Sequence, residues 1–423
     1  MISFPPPTCP KFCMTKPDSL IVIRGRGRVS ALGQLAGPAA TPTSPFAAHP
    51  AGLPVAALPA AAEAAVAELR RSSPAFRQLD RTVLLALLAA RQATEMAGWR
   101  GGRVAEWRSD NTTHHPTNPP TQLAVSIGSS RGATGRLEEF HAEFLAEGSV
   151  PVATSPLTTL GNVASWVAFD AGQDDGAALS HSSTCSSAFQ ALGNAMAWLR
   201  AGMATRFLAG GTEAPLTDFT LAQMRALGIY SPFGAADWPC RPGAGRPATF
   251  VLGEGAAMFA LEQLSETQAA TETQPLLVLE GVGFGFEAVA SKTGLSSDGQ
   301  HFQQAIRQAL AQAGLASSDV DAVVLHSPGT PAGDAAERAA LRAIFGSELP
   351  VLLSNKWLIG HTLGASAALS LDFACHILEI QQWPTAPFAT DINGPARGPI
   401  QRILVNAAGF GGNAASVVVG LRE

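Results

Sequence analysis

The sequence predicts an α/β protein made of two related halves, on three observations. Short apolar, β-branched runs alternate with helical stretches; chemically capable residues fall where a strand passes into a helix; and a polar stretch, SETQAATETQ at 265–274, separates two apolar strand candidates. With 423 residues, 46% of them hydrophobic, the chain can bury a large core. Only 14% are charged and the net charge is -5, which excludes a basic nucleic-acid surface and a polyacidic tail.

Residues 1–19 begin MISFPPPTCPKFC, lack the apolar core and cleavage site of a secretory signal, and are expected to be disordered or irregular. Residues 20–23 read as a strand ending in a glycine-punctuated turn, GRGRVSALG. The third glycine and downstream acid of a dinucleotide fingerprint are missing there, and GVGFGF at 281–286 is equally weak. An Ala- and Pro-rich stretch, 37–62, leads to a helix at 79–97 with one broad apolar face. A polar loop at 101–121 follows, its His114 and His115 read as solvated, and LAVSIG at 123–128 resumes a strand. Then come a strand at 177–181, a helix at 186–201, a strand at 205–209 and GGTEAP.

The first half is assigned to 20–264 and the second to 275–423. The second repeats the alternation, with a helix at 303–313, a strand at 322–325, a helix at 334–345 and a long helix at 364–381. That last helix carries Asp372 and His376, so no membrane span is expected. Five cysteines without a signal argue for reduced thiols and a cytoplasmic location. Cys9 and Cys13 are close, but with no second ligand cluster nearby no metal site is expected.

Three strand-end residues carry chemistry. Cys185, in SSTCSSAFQ, follows a strand and opens a helix, where exposed N–H groups and the helix dipole favour a thiolate; buried packing is the ordinary alternative. Its small neighbours Ser183, Thr184, Ser186 and Ser187 are what a substrate approaching a tight turn would require. His326 ends the strand DAVVL and begins HSPGTPAGD, and His361 sits in NKWLIGHTLGAS with Lys356 five positions earlier. Near the C-terminus, NAAGFGGNAAS places glycines around Phe410, so that backbone N–H groups can point at a ligand oxygen; a plain hairpin turn is the alternative.

Taken together, STCSSA, VLGEGAA, HSPGTPAGDAAE, SNKWLIGHTLGAS and GFGG occur in the order found in the β-ketoacyl-acyl-carrier-protein synthases, and the chain resembles the elongating Cys-His-His branch of these thiolase-superfamily enzymes. The resemblance implies a thiolase-like, layered α-β-α-β-α fold of two related halves. It implies that Cys185 accepts the acyl group and that His326 and His361 assist decarboxylation. Lys356 would support the second histidine, and Glu337 would join the same buried polar network. Gly409, Phe410, Gly411 and Gly412 would form the gating loop, with the Phe410 and Cys185 N–H groups as oxyanion hole, and Thr330 would bind pantetheine.

The implied reaction is transfer of an acyl group from a carrier-protein thioester to Cys185, then decarboxylative condensation with malonyl-carrier protein. No cofactor resident in the chain is implied, because the phosphopantetheine arm arrives on the acyl carrier protein. The implied partners are that acidic carrier protein, docking on an arginine-rich patch, and a second ketosynthase subunit, identical or of chain-length-factor type. Departures from the family pattern are Pro328 for a threonine, Ala408 for a second aromatic, GGNA for GGTN, Thr184 for alanine, and CRPGAGRPATFVLGEG without the usual aspartates. They point toward a specialised polyketide or polyene pathway, with the smaller Ala408 admitting bulkier or stiffer chains. A non-elongating chain-length factor is the nearest rival reading, although such partners commonly lack the cysteine. A thiolase would want a C-terminal catalytic cysteine where Cys375 lies within a helix, and an initiating synthase would have asparagine at 361.

Overall fold

The computed structural model describes residues 19–35, 43–99, 123–160, 162–173, 176–288, 296–392, 394 and 398–423. The N-terminal extension through residue 18, the Cys9/Cys13 pair and the loop with His114 and His115 lie outside the described residues. Five strands of the main sheet come from the first half: β1 (Ser19–Val29), β2 (Leu123–Gly128), β3 (Ala178–His181), β4 (Arg206–Glu213) and β5 (Gly255–Ser265). Five more build the second: β6 (Leu276–Phe286), β7 (Ala322–Val324), β8 (Val351–Leu353), β9 (Arg402–Gly409) and β10 (Asn413–Arg422).

Both halves use one topology. The orders are β3-β2-β4-β5-β1 and β8-β7-β9-β10-β6, that is, third, second, fourth, fifth, first. In each, the first two neighbouring pairs are parallel and the last two antiparallel. The halves meet edge to edge through the single ladder pair Val22–Val278 of β1 and β6.

Helices complete the layers. In the first half α1 (Arg81–Met96), capped by the Asp80 carboxylate on Thr82 N–H at 2.7 Å, packs on β1, β4 and β5, while α2 (Ser187–Arg200) packs on β2 and β4. The two use opposite faces of the sheet: Ala256, Met258 and Ala260 of β5 join the α1 cluster, whereas Ala257, Phe259 and Leu261 join the α2 cluster. In the second half α3 (Gln300–Ala313) lies on β6 and β10 with α4 (Pro331–Phe345) beside it, and α5 (Ser366–Ile380) contacts β9, β10 and α2. Outer helix, sheet, the α2/α5 pair, sheet and outer helices thus stack in five layers around the apolar core. The segment Leu363–Ile380 is apolar and long enough to cross a membrane, yet it is mostly buried between the sheets. Arg26 and Arg28 of β1 reach across the halves to Asp372 of α5 at 2.7 and 2.6 Å.

Several elements differ from the sequence expectation for a packing reason. GRGR is not a turn: β1 continues to Val29, because a Cβ on Gly25 or Gly27 would lie 2.2 Å from the Ala93 carbonyl oxygen or 2.0 Å from that of Ala89. Glycine lets α1 lie directly on the strand. GVGFGF of β6 does the same for α3, with Gly283 facing the Ala305 carbonyl oxygen at 2.1 Å. These repeated glycines are a helix-docking device shared by the two halves. β4 likewise runs through GGTE rather than stopping at 209, and a helix at Ala60–Ser72 stands within and beyond the Ala- and Pro-rich stretch.

Candidate active site

The α2/α5 layer brings the strand-end turns together. Cys185 lies between β3 and α2, His326 two residues past β7, and His361 between β8 and α5. All three line one cavity of about 390 Å³, with Thr330, Pro328, Ala408, Gly409 and Phe410 at its wall. The two imidazoles stand edge to face, ring centroids 5.3 Å apart.

The Cys185 turn is closed by its own hydroxyls. Ser186 Oγ donates to the Ser183 carbonyl at 2.8 Å, Ser187 Oγ to the Thr184 carbonyl at 2.5 Å, and Ser183 N–H to Ser187 Oγ at 2.9 Å. Ser186 and Ser187 are fully buried, so they shape the turn and do not face a substrate. Thr184 has φ +56°, a left-handed conformation that a β-branched residue adopts at a cost of about 1–3 kcal/mol. Burial pushes the Cys185 thiol up to about 12; the Glu213 carboxylate pushes the same way, against the Lys356 and Arg131 cations. The helix start favours a thiolate, and burial opposes it.

His361 is held by the VLGEG segment. Its N–H donates to the Val251 carbonyl at 2.7 Å, its carbonyl accepts from Gly253 N–H at 3.1 Å, and its ring lies 5.2 Å from that of Phe250. Leu363 N–H donates to His361 Nδ1 at 3.1 Å, which places the proton of the neutral ring on Nε2. Burial, aided by the Lys356 charge, brings His361 down to about 3. His326 is lowered too, by burial, His361 and Lys356, so both rings are neutral hydrogen-bond donors near pH 7.

Glu337 clamps the other histidine turn. Its carboxylate accepts from His326 N–H at 2.9 Å, Ser327 N–H at 2.8 Å, Ser327 Oγ at 2.7 Å and Asn406 Nδ2 at 3.0 Å. Lys356 Nζ, fully buried, donates to Ser370 Oγ at 2.8 Å and Asn355 Oδ1 at 3.3 Å.

Gly409 and Asn413 pair at the end of the β9/β10 hairpin, leaving Phe410, Gly411 and Gly412 at its tip, with φ +86° and +80° at the two glycines. Phe410 is 43% exposed at the cavity mouth. Glu287 N–H donates to the Gly412 carbonyl at 2.9 Å and ties the tip to the end of β6.

The chain matches two family models, the beta-ketoacyl synthase N-terminal domain over residues 27–267 and its C-terminal domain over 276–388. It belongs to the beta-ketoacyl synthase family. A relative is 3-oxoacyl-[acyl-carrier-protein] synthase 2 of Staphylococcus aureus strain COL, 28% identical over 358 residues, covering 81% of this chain and 82% of that one. Among solved structures, a beta-ketoacyl synthase from Burkholderia phymatum STM815 superposes with TM-score 0.78 at 24% identity, covering 96% of this chain and all of that one. The ishigamide ketosynthase/chain length factor also gives TM-score 0.78, at 21% identity over 95% and 98% of the two chains. The layered fold of the chain is thus the thiolase-like one.

Residues not singled out in the sequence complete the site. Met224, Leu227 and Ile229, in and after the helix Asp218–Ala226, line the cavity with Phe250 and Phe302. Their recruitment is a tertiary event, although FVLGEG adjoined a quoted motif. Glu213, within GGTEAP, is buried behind Cys185 and accepts from Ser129 Oγ, Ser130 N–H, Arg131 N–H and Gly364 N–H at 2.6–3.1 Å; burial raises it to about 7 against those four donors. Among the described residues no group of three or more His, Cys, Asp or Glu side chains is placed to hold a metal ion.

Proposed function

We propose that this member of the family is a condensing enzyme, carrying an acyl chain on Cys185 and elongating it by two carbons. The observation that supports the reading is the shared cavity: thiol and two neutral imidazoles line one space, and His361 directs a fixed Nε2–H as a donor.

In the first step Cys185 Sγ attacks the carrier thioester carbonyl, with the Cys185 and Phe410 N–H groups facing the oxyanion. The carrier thiol leaves with the proton that Cys185 gives up. Malonyl-carrier protein then binds, its phosphopantetheine arm passing Thr330. His326 and His361 donate to the malonyl thioester oxygen, carbon dioxide departs, and the enolate carbon attacks the acyl carbonyl. Cys185 leaves as thiolate and regains a proton, and a β-ketoacyl-carrier protein is released. The acyl chain lies among Met224, Leu227, Ile229 and Phe250, and Ala408 leaves room for a stiff polyketide or polyene chain. The chain itself needs no resident cofactor. Assembly uses the β3 sheet edge, with exposed Phe169 on the helix packed beside it, to meet a second ketosynthase subunit. The free, buried Cys240 and Cys375 suit a reducing cytoplasm.

Intact-mass analysis with a panel of acyl-carrier proteins, followed by malonyl-carrier protein, tests the reading. An adduct absent in Cys185→Ala, together with an elongated product, is expected. No adduct from any donor assigns the chain instead to the non-elongating partner of a heterodimer. His361→Ala should acylate and fail to condense.

A further inference from the structure

The hairpin tip that carries Phe410 needs a seat, because Phe410, Gly411 and Gly412 lie beyond the last pair of the β9/β10 ladder. That seat is Glu287, the residue after β6. Its N–H donates to the Gly412 carbonyl at 2.9 Å, and a Cβ on Gly412 would lie 2.0 Å from its carbonyl oxygen. Phe286 before it is 60% exposed, so packing of that ring does not fasten the seat. The Glu287 carboxylate does. Its Oε2 accepts from Ser296 Oγ at 2.7 Å and stands 3.1 Å from Nδ1 of His301, a fully buried ring in the first turn of α3 that the proposed reaction does not use. A carboxylate oxygen only accepts, so Nδ1 carries the proton of this pair.

The base beneath the seat is firm. β6 meets β1 at the single pair Val22–Val278; beyond it the N–H groups of Val282, Phe284 and Phe286 donate to Oε1 of Gln312, Gln308 and Gln304 on α3, at 2.6, 2.5 and 3.2 Å. Four residues along a helix and two along a strand both span about 6–7 Å, which keeps the three pairs in register. The start of α3 is thereby locked to the end of β6, where His301 and Glu287 meet. The next residue of the helix, Phe302, lines the cavity with its ring 6.2 Å from that of His326. We propose that Glu287 and His301 are positioning residues, whose hydrogen bond holds the Gly412 tip, and with it Phe410, across the cavity mouth in fixed register with the Phe302 wall. The pair acts through Phe410 and touches no reacting atom. Its use in catalysis rests on the condensing reading; its control of access to Cys185 does not.

The test compares alkylation of Cys185 by iodoacetamide with alkylation by the bulky N-(1-pyrenyl)maleimide, each followed by mass analysis of the Cys185 peptide from the full chain. No carrier protein is needed, so the ratio of the two rates answers even for a chain that never elongates. His301→Leu should raise the pyrenylmaleimide rate about tenfold, the worth of one hydrogen bond to a charged group, and leave the iodoacetamide rate within about twofold. His301→Asn, whose amide can donate where Nδ1 does, should return the ratio most of the way. Glu287→Ala should match His301→Leu, and the double variant should go no further. In a Phe410→Ala background, where the mouth is already open, His301→Leu should leave the ratio unchanged. The proposal is overturned if His301→Leu and Glu287→Ala keep the wild-type ratio, if both reagents speed up together, if His301→Asn behaves like His301→Leu, or if the effect survives in Phe410→Ala. Should His301→Leu not fold, Glu287→Ala, at a partly exposed position, decides by the same ratio.

Discussion

The β9/β10 hairpin and the Cys185 turn touch at one point, and a single methyl group placed there should separate them. A Cβ built on Gly409 would lie 1.6 Å from Thr184 Oγ1, 2.7 Å from Thr184 Cβ and 2.9 Å from Cys185 N. Rotating the hydroxyl relieves the first contact but not the second, so in Gly409→Ala the turn and hairpin must part by roughly 1 Å, a misplacement that costs about 100-fold in rate when it falls on reacting groups. The Phe410 N–H next along the hairpin moves with it. Formation of the acyl-Cys185 adduct, followed by intact mass on the millisecond-to-minute scale, should slow by about that factor. Thr184→Gly removes the two closer atoms, leaves only the 2.9 Å approach to Cys185 N, and suits φ +56° without strain, so the Thr184→Gly/Gly409→Ala double variant should recover much of the rate. A Gly409→Ala enzyme that acylates at the wild-type rate, or a double variant no faster than the single one, would refute the reasoning.

Other expectations follow from the same geometry. His361 is held at about 3 in the fold against an ordinary value near 6.5, so the unfolded chain binds a proton that the native state does not between those values, and stability falls as pH falls through that window. Between pH 7 and 5 the loss from this residue is about 2 kcal/mol, and urea unfolding of His361→Gln should show a correspondingly flatter pH dependence. Arg338 donates to Ser327 Oγ at 2.6 Å and holds Asp391 at 2.5 and 2.6 Å, steadying the turn that carries His326. Arg338→Met should therefore lower condensation kcat about tenfold while Cys185 acylation stays within about twofold, as single-turnover assays of the two steps would show. Gly25→Ala and Gly283→Ala each press a methyl into a helix carbonyl and should destabilise by about 2–4 kcal/mol in denaturant melts.

The alternation of strands and helices was legible because each strand of the core lies between helix layers and so reads as a short apolar run. Cys185, His326 and His361 were legible as candidates for a related reason: all three follow the ends of parallel strands, where open α/β architecture exposes side chains to a ligand, although a short helix, Lys356–Ile359, separates His361 from β8. What hid the rest was distance in sequence. GRGR looks like a turn until α1 is seen lying on it, and Thr184 looks like a tolerated substitution until its φ and its contact with Gly409 are known. For Cys185 the sequence leaves two readings open, a helix start that favours the thiolate and a buried packing residue, and it is burial, invisible in one dimension, that pushes the thiol up. Met224, Leu227 and Ile229 carry no periodic signal marking them as cavity wall.

The duplicated topology explains why Cys185 and His361 line one cavity. Cys185 stands between the third strand and following helix of the first half, and His361 between the third strand and following helix of the second. Because α2 and α5 share the central layer, the turns that start them are neighbours. Each turn contains a non-glycine residue at positive φ, Thr184 at +56° and Leu363 at +43°. In the second, that conformation brings Leu363 N–H to His361 Nδ1 and so sets which ring nitrogen bears the proton. Glu213 joins the halves, its carboxylate taking Ser130 and Arg131 N–H from one and Gly364 N–H from the other. Gly211, whose Cβ would lie 2.6 Å from Ala188 Cβ and 2.9 Å from the Gly364 carbonyl oxygen, lets both turns close on the end of β4. The distance between thiol and imidazole is therefore set by the packing of two equivalent helix starts, each fixed by its own half and held together by one buried acid.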